Sequence, residues 1–295
     1  MTLTQDIRFP NPVRNFLDQH MVDLAGLKEA WLAQCAVHPE LVDLNDDYDP
    51  AVADQYGLAM EWAIGFDLAE VVPYRPELDV LRADGGERAA DLVRAAGFIA
   101  RDHVVSSTTP WTLWIRDRRP SSRPFHESVP LLAACWNVSE ISKLLHRPEL
   151  AEPDGLLAKA HVWTHLWEPP VATPWLSDLW AAYCKFGRSQ LDELGRPVEV
   201  SVTLVDRYAI ADLILGSTLI DIKYTAQPEA KLGEWLLQIV AYALMVPDRQ
   251  ISQIGVYLVR QTRLITWDLA ELLPKIDLDE ARLAFSALVD DRAPE

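Results

Sequence analysis

The chain has 295 residues, of which 49% are hydrophobic, so it can bury a sizeable core and is expected to divide into two subdomains. A formal net charge of -17 argues against a protein that binds nucleic acid tightly through a uniformly basic surface. The chain has three widely separated cysteines, no apolar run long enough to span a bilayer, and no signal pattern at its N-terminus. These features predict a cytoplasmic protein that does not contact a membrane.

Residues 1–170 are predicted to form a mainly helical N-terminal subdomain. Apolar side chains recur there at helical spacing, and Asp or Pro often marks the start of a run. The predicted helices are Pro12 to Cys35, Pro50 to Val71, Gly86 to His103, Pro130 to Leu145 and Asp154 to Trp167.

Four arginines lie between residues 109 and 125, where they alternate with aromatic side chains and prolines. They are Arg116, Arg118, Arg119 and Arg123. Basic and aromatic side chains together are typical of surfaces that contact phosphates and stack bases, so these arginines are candidate substrate-binding residues. The alternative is a solvated arginine-rich loop interrupted by prolines, which the composition slightly favours.

Residues 171–295 are predicted to form an α/β domain. Trp175 to Leu194 has the pattern of a helix, and Val198 to Val205 that of a strand. A second helix is predicted from Ala230 to Met245, and later strands at Gln253 to Arg260 and Leu264 to Trp267.

Two aspartates and a lysine lie on a predicted hairpin in this domain. The turn at Gly216 and Ser217 is expected to pair the strand containing Asp212 with the strand containing Asp221 and Lys223. Because side chains alternate along a strand, Asp221 and Lys223 share one face. Two carboxylates suffice for Mg²⁺ or Mn²⁺, and a nearby lysine can orient or deprotonate an attacking water. A solvated ion pair on an amphipathic strand is the alternative interpretation.

Gln238 and Tyr242 lie four residues apart in the helix that follows the hairpin, so they share one helical face. Gln238 stands between Leu237 and Ile239, and a polar side chain in such a position needs a partner if it is buried. Packing of the helix onto the sheet explains Tyr242 as well as contact with a substrate does.

These residues resemble the motifs of the PD-(D/E)xK nuclease superfamily. Asp212, Asp221-Ile222-Lys223 and Gln238-x-x-x-Tyr242 are similar to the elements of its RecB-like exonuclease branch, over roughly the stretch from Trp175 to Leu272. The resemblance implies a restriction-endonuclease-like core: a mixed, mostly antiparallel sheet flanked by helices.

The resemblance also implies roles for the matching residues. Asp212, Asp221 and the backbone carbonyl of Ile222 would bind Mg²⁺ or Mn²⁺. Lys223 would act on the attacking water, and Gln238 and Tyr242 would steady the active site or the DNA. Ala211 stands where the family often has Pro, and Asp221 where it often has Glu, but neither departure removes a ligand.

Many RecB-like nucleases have an upstream histidine that binds metal, and His161 and His165 are the options in this chain. Their four-residue spacing would place both on one helical face, although such a pair is more often part of an aromatic-rich surface. Some members also hold an iron–sulfur cluster on four cysteines. Three cysteines without a C-x-x-C pair argue against one here.

The function expected from the sequence is therefore metal-dependent hydrolysis of DNA phosphodiester bonds, in repair, recombination or defence against foreign DNA. A non-catalytic nuclease-fold module in a protein complex is the alternative, and phosphate-ester chemistry on RNA or a small molecule is a third reading. The acidic charge predicts a protein partner or a homo-oligomer that helps to hold the DNA.

Overall fold

A computed structural model describes residues 3–24, 26, 27, 29, 31, 53–83, 87–101, 110–145, 166, 167, 173–205, 208–246 and 250–290. The chain separates into two compact units. The sheet unit comprises Met1–Leu41 and Phe186–Glu295, and the helical unit comprises Val42–Lys185. This division differs from the predicted boundary at residue 170, because the first residues of the chain belong with the C-terminal sheet.

The helices are α1 Leu3–Arg8, α2 Pro12–His20, α3 Ala53–Leu68, α4 Arg75–Ala83, α5 Glu87–Ala95, α6 Phe125–Leu145, α7 Thr173–Ala182, α8 Arg188–Asp192, α9 Leu232–Leu244, α10 Leu269–Leu272 and α11 Leu278–Asp290. The strands are β1 Phe98–Ala100, β2 Trp114–Arg116, β3 Val198–Val205, β4 Ala209–Leu215, β5 Thr218–Lys223, β6 Gln253–Leu258 and β7 Arg263–Asp268.

The helical unit contains α3 to α7 and a two-stranded antiparallel sheet of β1 and β2. The predicted helix from Gly86 to His103 is wrong in its second half, where the chain turns at Gly97 and forms β1. Gly97 has a φ of +86°, and a Cβ at this position would lie 1.6 Å from the carbonyl oxygen of Arg118. Only glycine fits this close approach, so the helix ends before it.

Other helix predictions differ in extent or lie outside the described residues. The helix predicted from Pro12 to Cys35 is interrupted after His20, because Met21 adopts an extended backbone, and the described residues 24, 26, 27, 29 and 31 are helical again. The helix predicted from Trp175 to Leu194 forms as α7 and α8, joined by a π-helical turn at Tyr183–Gly187. The helix predicted from Asp154 to Trp167 lies outside the described residues, except for a turn at 166 and 167.

The sheet unit is built on a five-stranded sheet with the strand order β3-β4-β5-β6-β7. Neighbouring strands are antiparallel except β5 and β6, which are parallel and are connected through α9. A parallel connection needs a crossover of about a dozen residues or more, and α9 supplies it. The chain thus has a mixed α/β fold.

One face of the sheet is covered by α9 together with α1, α2 and α11. Leu219, Ile254 and Val256 of the sheet belong to the same buried apolar cluster as Leu236 and Val240 of α9. On the opposite face, Tyr257 contacts Gly187, and α8 hydrogen-bonds to the edge of the sheet through Gln190. The sheet is therefore buried on both sides.

The first residues of the chain complete this unit. The backbone N–H of Leu3 donates to the carbonyl of Tyr208, and the hydroxyl of Tyr208 donates to the buried carboxylate of Asp6 at 2.8 Å. Arg8 pairs with Glu234 of α9. Helix α1 is consequently anchored at the start of β4 and on the crossover helix.

Within the described residues, none of the helices combines the length and the apolar composition that a membrane span requires.

Candidate active site

The hairpin of β4 and β5 brings Asp212 and Asp221 into neighbouring positions. The two strands pair from Leu215 and Thr218 to Leu213 and Ile220, and the two aspartates are the next residue on each strand. The turn begins at Gly216, whose φ of +58° favours glycine. The predicted hairpin therefore forms, and it sets the two carboxylates opposite each other.

Each aspartate has a distinct partner. Oδ2 of Asp212 accepts a hydrogen bond from the backbone N–H of Ile222 at 2.7 Å. Nζ of Lys223 lies 2.6 Å from Oδ2 of Asp221, and no hydrogen bond of ordinary geometry from another described group reaches that buried oxygen. The side chains of Asp212, Asp221 and Lys223 thus form one contiguous charged group.

Burial gives this group an unusual electrostatic state. Asp221 is only 2% exposed, whereas Asp212 and Lys223 are half-buried. Desolvation and then the charge of Asp221 raise the pKa of Asp212 to about 7, although Lys223 and the Ile222 N–H favour the ionised form. Desolvation also raises the pKa of Asp221, against the opposing effect of Lys223. One ammonium therefore does not fully compensate the two carboxylates.

The donor set fits a hard divalent cation. Carboxylate oxygens are the ligands that Mg²⁺ and Mn²⁺ prefer, and Mg²⁺ commonly uses only one or two protein carboxylates. Added positive charge would also relieve the repulsion between Asp212 and Asp221. Within the described ranges, no group of three or more His, Cys, Asp or Glu side chains has the arrangement of a metal site. The described protein ligands would therefore be these two carboxylates, with other positions left to water or substrate.

The other candidate side-chain metal ligands lie outside the described residues or, within them, make no metal-binding group with the two aspartates. His161 and His165 lie outside the described residues. Glu199, a further carboxylate on β3, pairs with Ile214, two residues along β4 from Asp212, and within the described residues it does not join the two aspartates in a metal-binding group. The metal-binding role of the Ile222 carbonyl stays a prediction, whereas its N–H is the group that contacts Asp212. Sequence patterns gave no signal for this backbone contact.

Gln238 and Tyr242 meet on α9 as their spacing predicted. Nε2 of Gln238 donates to the Tyr242 hydroxyl at 2.8 Å, so the half-buried amide has a hydrogen-bond partner. Helix α9 packs on the face of the sheet that includes Leu219. Because side chains alternate on β5, Asp221 and Lys223 project from the same face as Leu219. The charged group and the Gln238–Tyr242 pair therefore lie on the same side of the sheet.

A further basic residue shares this face. Lys223 pairs with Leu258 of β6, and Leu258 pairs with Arg263 of β7. Directly paired residues point to the same side of a sheet, and two strand spacings make about 10 Å. Arg263 was not predicted as a site residue. Its only sequence signal was a basic residue at the start of a strand that follows β6.

Arg116, in contrast, has a structural position in the helical unit. Its guanidinium donates to the carbonyls of Phe66, Ala69 and Ala96, at the ends of α3 and α5, and lies 3.7 Å from the centre of the Phe98 ring. Desolvation lowers its pKa to about 10. Cations are favourable at helix C-termini, where carbonyl groups lack partners within the helix. This side chain joins two helix ends.

Two of the other three arginines are engaged in a similar way. Arg119 donates to the carbonyl of Asp67 at 2.7 Å, and Arg123 to the carbonyl of Ala95 at 2.8 Å. Arg118 makes an exposed hydrogen bond of 3.3 Å within its own loop. Of the four predicted substrate contacts, Arg118 is thus the one whose guanidinium is most available to a ligand.

Comparisons with known proteins give no match to this chain, whether the comparison is with protein-family models, with curated proteins or with solved structures.

Proposed function

We propose that this chain is a metal-dependent nuclease that hydrolyses DNA phosphodiester bonds, with a PD-(D/E)xK core of the RecB-like branch. One observation carries the proposal. Asp212 and Asp221 stand opposite each other on a hairpin, and the ammonium of Lys223 lies 2.6 Å from Asp221. Two carboxylates can hold a divalent metal, and a lysine beside them can orient or activate water for metal-assisted phosphodiester hydrolysis.

The order of elements supports the same proposal. A helical segment, α7 and α8, precedes three antiparallel strands, and a crossover helix then leads to β6 and β7. The motif residues occupy the second strand, the third strand and the crossover helix. A chance Asp-x-Lys pair on a solvated strand would not be buried against a second acid.

The roles of the chain's own groups follow from their contacts. Asp212 and Asp221 would hold Mg²⁺ or Mn²⁺, which lowers the pKa of bound water and stabilises charge on the scissile phosphate. Lys223 would orient or deprotonate a water beside Asp221. The Ile222 N–H holds the Asp212 carboxylate, and Tyr242 orients the Gln238 amide on the same side of the sheet.

The electrostatic cost of the site argues against a purely structural role. Burial raises the pKa values of both aspartates, so their ionised forms oppose folding at neutral pH. A module that served only in assembly would gain stability from uncharged side chains at these positions. The acid pair is better explained by a ligand that requires it.

The positive charge available for DNA is local rather than general. Arg263 lies on the face of Lys223, about two strand spacings away. With a net charge of -17, the chain would still need a protein partner, or a second copy of itself, to hold DNA tightly. We propose such a partner, and an intracellular role in repair, recombination or defence.

The proposal is tested by incubating the purified chain with Mn²⁺ or Mg²⁺ and with linear, nicked, covalently closed and single-stranded DNA. We expect metal-dependent cleavage that Asp221→Asn abolishes. A matched exposed acid, Asp290→Asn, controls for the loss of one carboxylate. Comparing linear with closed substrates separates an exonuclease from an endonuclease. RNA substrates test the alternative that the chain hydrolyses RNA.

Binding is measured separately by titrating Mn²⁺ into the DNA-free protein in a calorimeter. If the wild type binds Mn²⁺ and Asp221→Asn does not, but the wild type cleaves no nucleic acid, the metal site is supported and the nuclease proposal is refuted. Equal cleavage by wild type and Asp221→Asn would refute the site. If the protein shows no Mn²⁺ binding and no cleavage, the result would favour a non-catalytic module in a protein complex.

A further inference from the structure

Strand β3 contains a backbone irregularity opposite Asp212. Ser201 has a φ of +52°, in the left-handed region that non-glycine residues rarely adopt. Val200 pairs with Leu213 and Val202 pairs with Ala211 on either side, so Ser201 is the residue that faces Asp212. The ladder skips this one pair, continues in the same register to Thr203 and Ile210, and shifts by one residue before Val205 and Ala209.

Asp212 is also outside the ladder on its other side. Pairing between β4 and β5 ends at Leu213 and Ile220, and the N–H of Ile222 donates to the side chain of Asp212. Asp212 therefore has no regular ladder partner on either neighbouring strand. Its carboxylate is used as an acceptor at a point where a regular ladder would use backbone carbonyls.

The irregularity has no local cause in the sequence. Ser201 is flanked by Val200 and Val202, and β-branched neighbours favour an extended strand. Glycine would adopt a positive φ without a steric penalty, but serine does not. Strained backbone of this kind persists where surrounding structure requires it, and it is concentrated at functional sites.

We propose that Ser201 is a positioning residue for Asp212. Its left-handed backbone interrupts β3 at this point, and the interruption leaves Asp212 free to turn its carboxylate toward Ile222 and the neighbouring Asp221. An extended Ser201 would complete the ladder and would draw the Asp212 backbone into regular pairing. The part of this inference that concerns metal and catalysis rests on the proposed nuclease function, whereas the placement of the carboxylate does not.

Substitutions at Ser201 separate backbone conformation from side-chain chemistry. Ser201→Gly and Ser201→Asn accept a positive φ, whereas Ser201→Val disfavours it because its Cβ is branched. Thr203→Val is the matched control, since Thr203 is exposed on the same face of β3 and has a ladder partner, Ile210, in the register that flanks Ser201. If Ser201→Val does not fold, Ser201→Thr makes the same comparison with a smaller change.

The first measurement needs neither metal nor nucleic acid. Hydrogen exchange of the Ile222 amide, followed by NMR, reports the hydrogen bond to Asp212. We expect exchange about tenfold faster in Ser201→Val, and unchanged exchange in Ser201→Gly, Ser201→Asn and Thr203→Val. Unchanged exchange in both folded β-branched variants would overturn the proposal, and so would equally fast exchange in Ser201→Gly.

The second measurement links the position to the site. In calorimetric titrations with Mn²⁺ we expect affinity about tenfold weaker in Ser201→Val and within about twofold of wild type in Ser201→Gly. Cleavage should show a lower kcat with little change in KM. If the wild type neither binds Mn²⁺ nor cleaves DNA, the nuclease proposal fails, and the amide exchange still decides the role of Ser201.

Discussion

Oδ2 of Asp212 accepts the backbone N–H of Ile222 at 2.7 Å, so the side chain of one strand takes the place of a backbone acceptor for the next. Ile222 stands between Asp221 and Lys223 on β5. This single contact therefore ties the first acid of the site to the strand that carries the second acid and the lysine.

Asp212→Asn should stabilise the metal-free protein at alkaline pH. The pKa of Asp212 is raised from 3.8 to about 7, so the folded state retains a proton that the unfolded state releases. The contribution of Asp212 to stability should therefore be largest near pH 4 and be lost as the pH rises through 7. Removing the titration should gain about 2 kcal/mol at pH 8, because solvent screens part of the shift at a half-buried residue.

Urea unfolding of the EDTA-treated proteins between pH 4 and pH 8 measures this effect. Asp290→Asn should follow the wild-type curve, and the gain from Asp212→Asn should vanish near pH 4. A pH-independent difference would mean that Asp212 titrates normally in the folded state.

Divalent metal should stabilise the protein most where both aspartates are ionised. We expect millimolar Mn²⁺ to raise the Tm relative to EDTA at pH 8, and to raise it less at pH 5, because protons compete with metal for the carboxylates. Asp221→Asn should remove the shift at both pH values. A Mn²⁺ shift that persists in this variant would indicate binding elsewhere.

Lys223→Met should separate catalysis from metal binding. Loss of a group that positions or deprotonates water costs on the order of 10²- to 10⁴-fold in rate, while both carboxylates remain. Calorimetry should therefore detect Mn²⁺ binding in a variant with little cleavage, and Lys275→Met serves as an exposed lysine control. If the variant loses Mn²⁺ binding together with activity, Lys223 maintains the structure of the metal site and does not act on the water.

Tyr242→Phe should destabilise the protein by about 1 kcal/mol, because it removes the acceptor of the Gln238 amide. We expect lower kcat with unchanged Mn²⁺ affinity, since neither residue is a proposed ligand. Urea unfolding and cleavage kinetics measure the two effects. If the variant is destabilised but has wild-type kinetics, Gln238 and Tyr242 contribute to stability and not to catalysis.

Arg116→Lys and Arg118→Ala should affect different properties of the protein: the first its stability, the second its binding to DNA. Arg116 makes hydrogen bonds to the carbonyls of Phe66, Ala69 and Ala96, and a lysine cannot reproduce this planar fork. We expect a loss of about 2 kcal/mol in stability for Arg116→Lys. Arg118→Ala should leave stability unchanged and, if this loop contacts DNA, reduce the salt dependence of binding. Identical salt dependence in Arg118→Ala and wild type would exclude that contact.

Local patterns were sufficient for the features that depend on neighbours in the chain. The Gly216–Ser217 turn and the alternation along β5 predicted the hairpin, and the four-residue spacing predicted the helical face that Gln238 shares with Tyr242. The arginine loop shows the limit of such patterns. Basic residues between prolines are compatible with a ligand surface and with helix capping, and the helix ends that they cap come from distant segments.

The sequence by itself determined which chemistry-bearing residues share a strand or a helical face, because those relationships follow from the fixed periods of regular structure. Only the tertiary structure decided that α1 belongs to the sheet unit, where Asp6 binds Tyr208, and that Asp212 binds the amide of Ile222. It also decided the backbone of Ser201 and the burial that raises the pKa of Asp212. The contact of α1 joins segments far apart in the chain, and the others depend on backbone geometry and burial between neighbouring strands; no local periodicity encodes either.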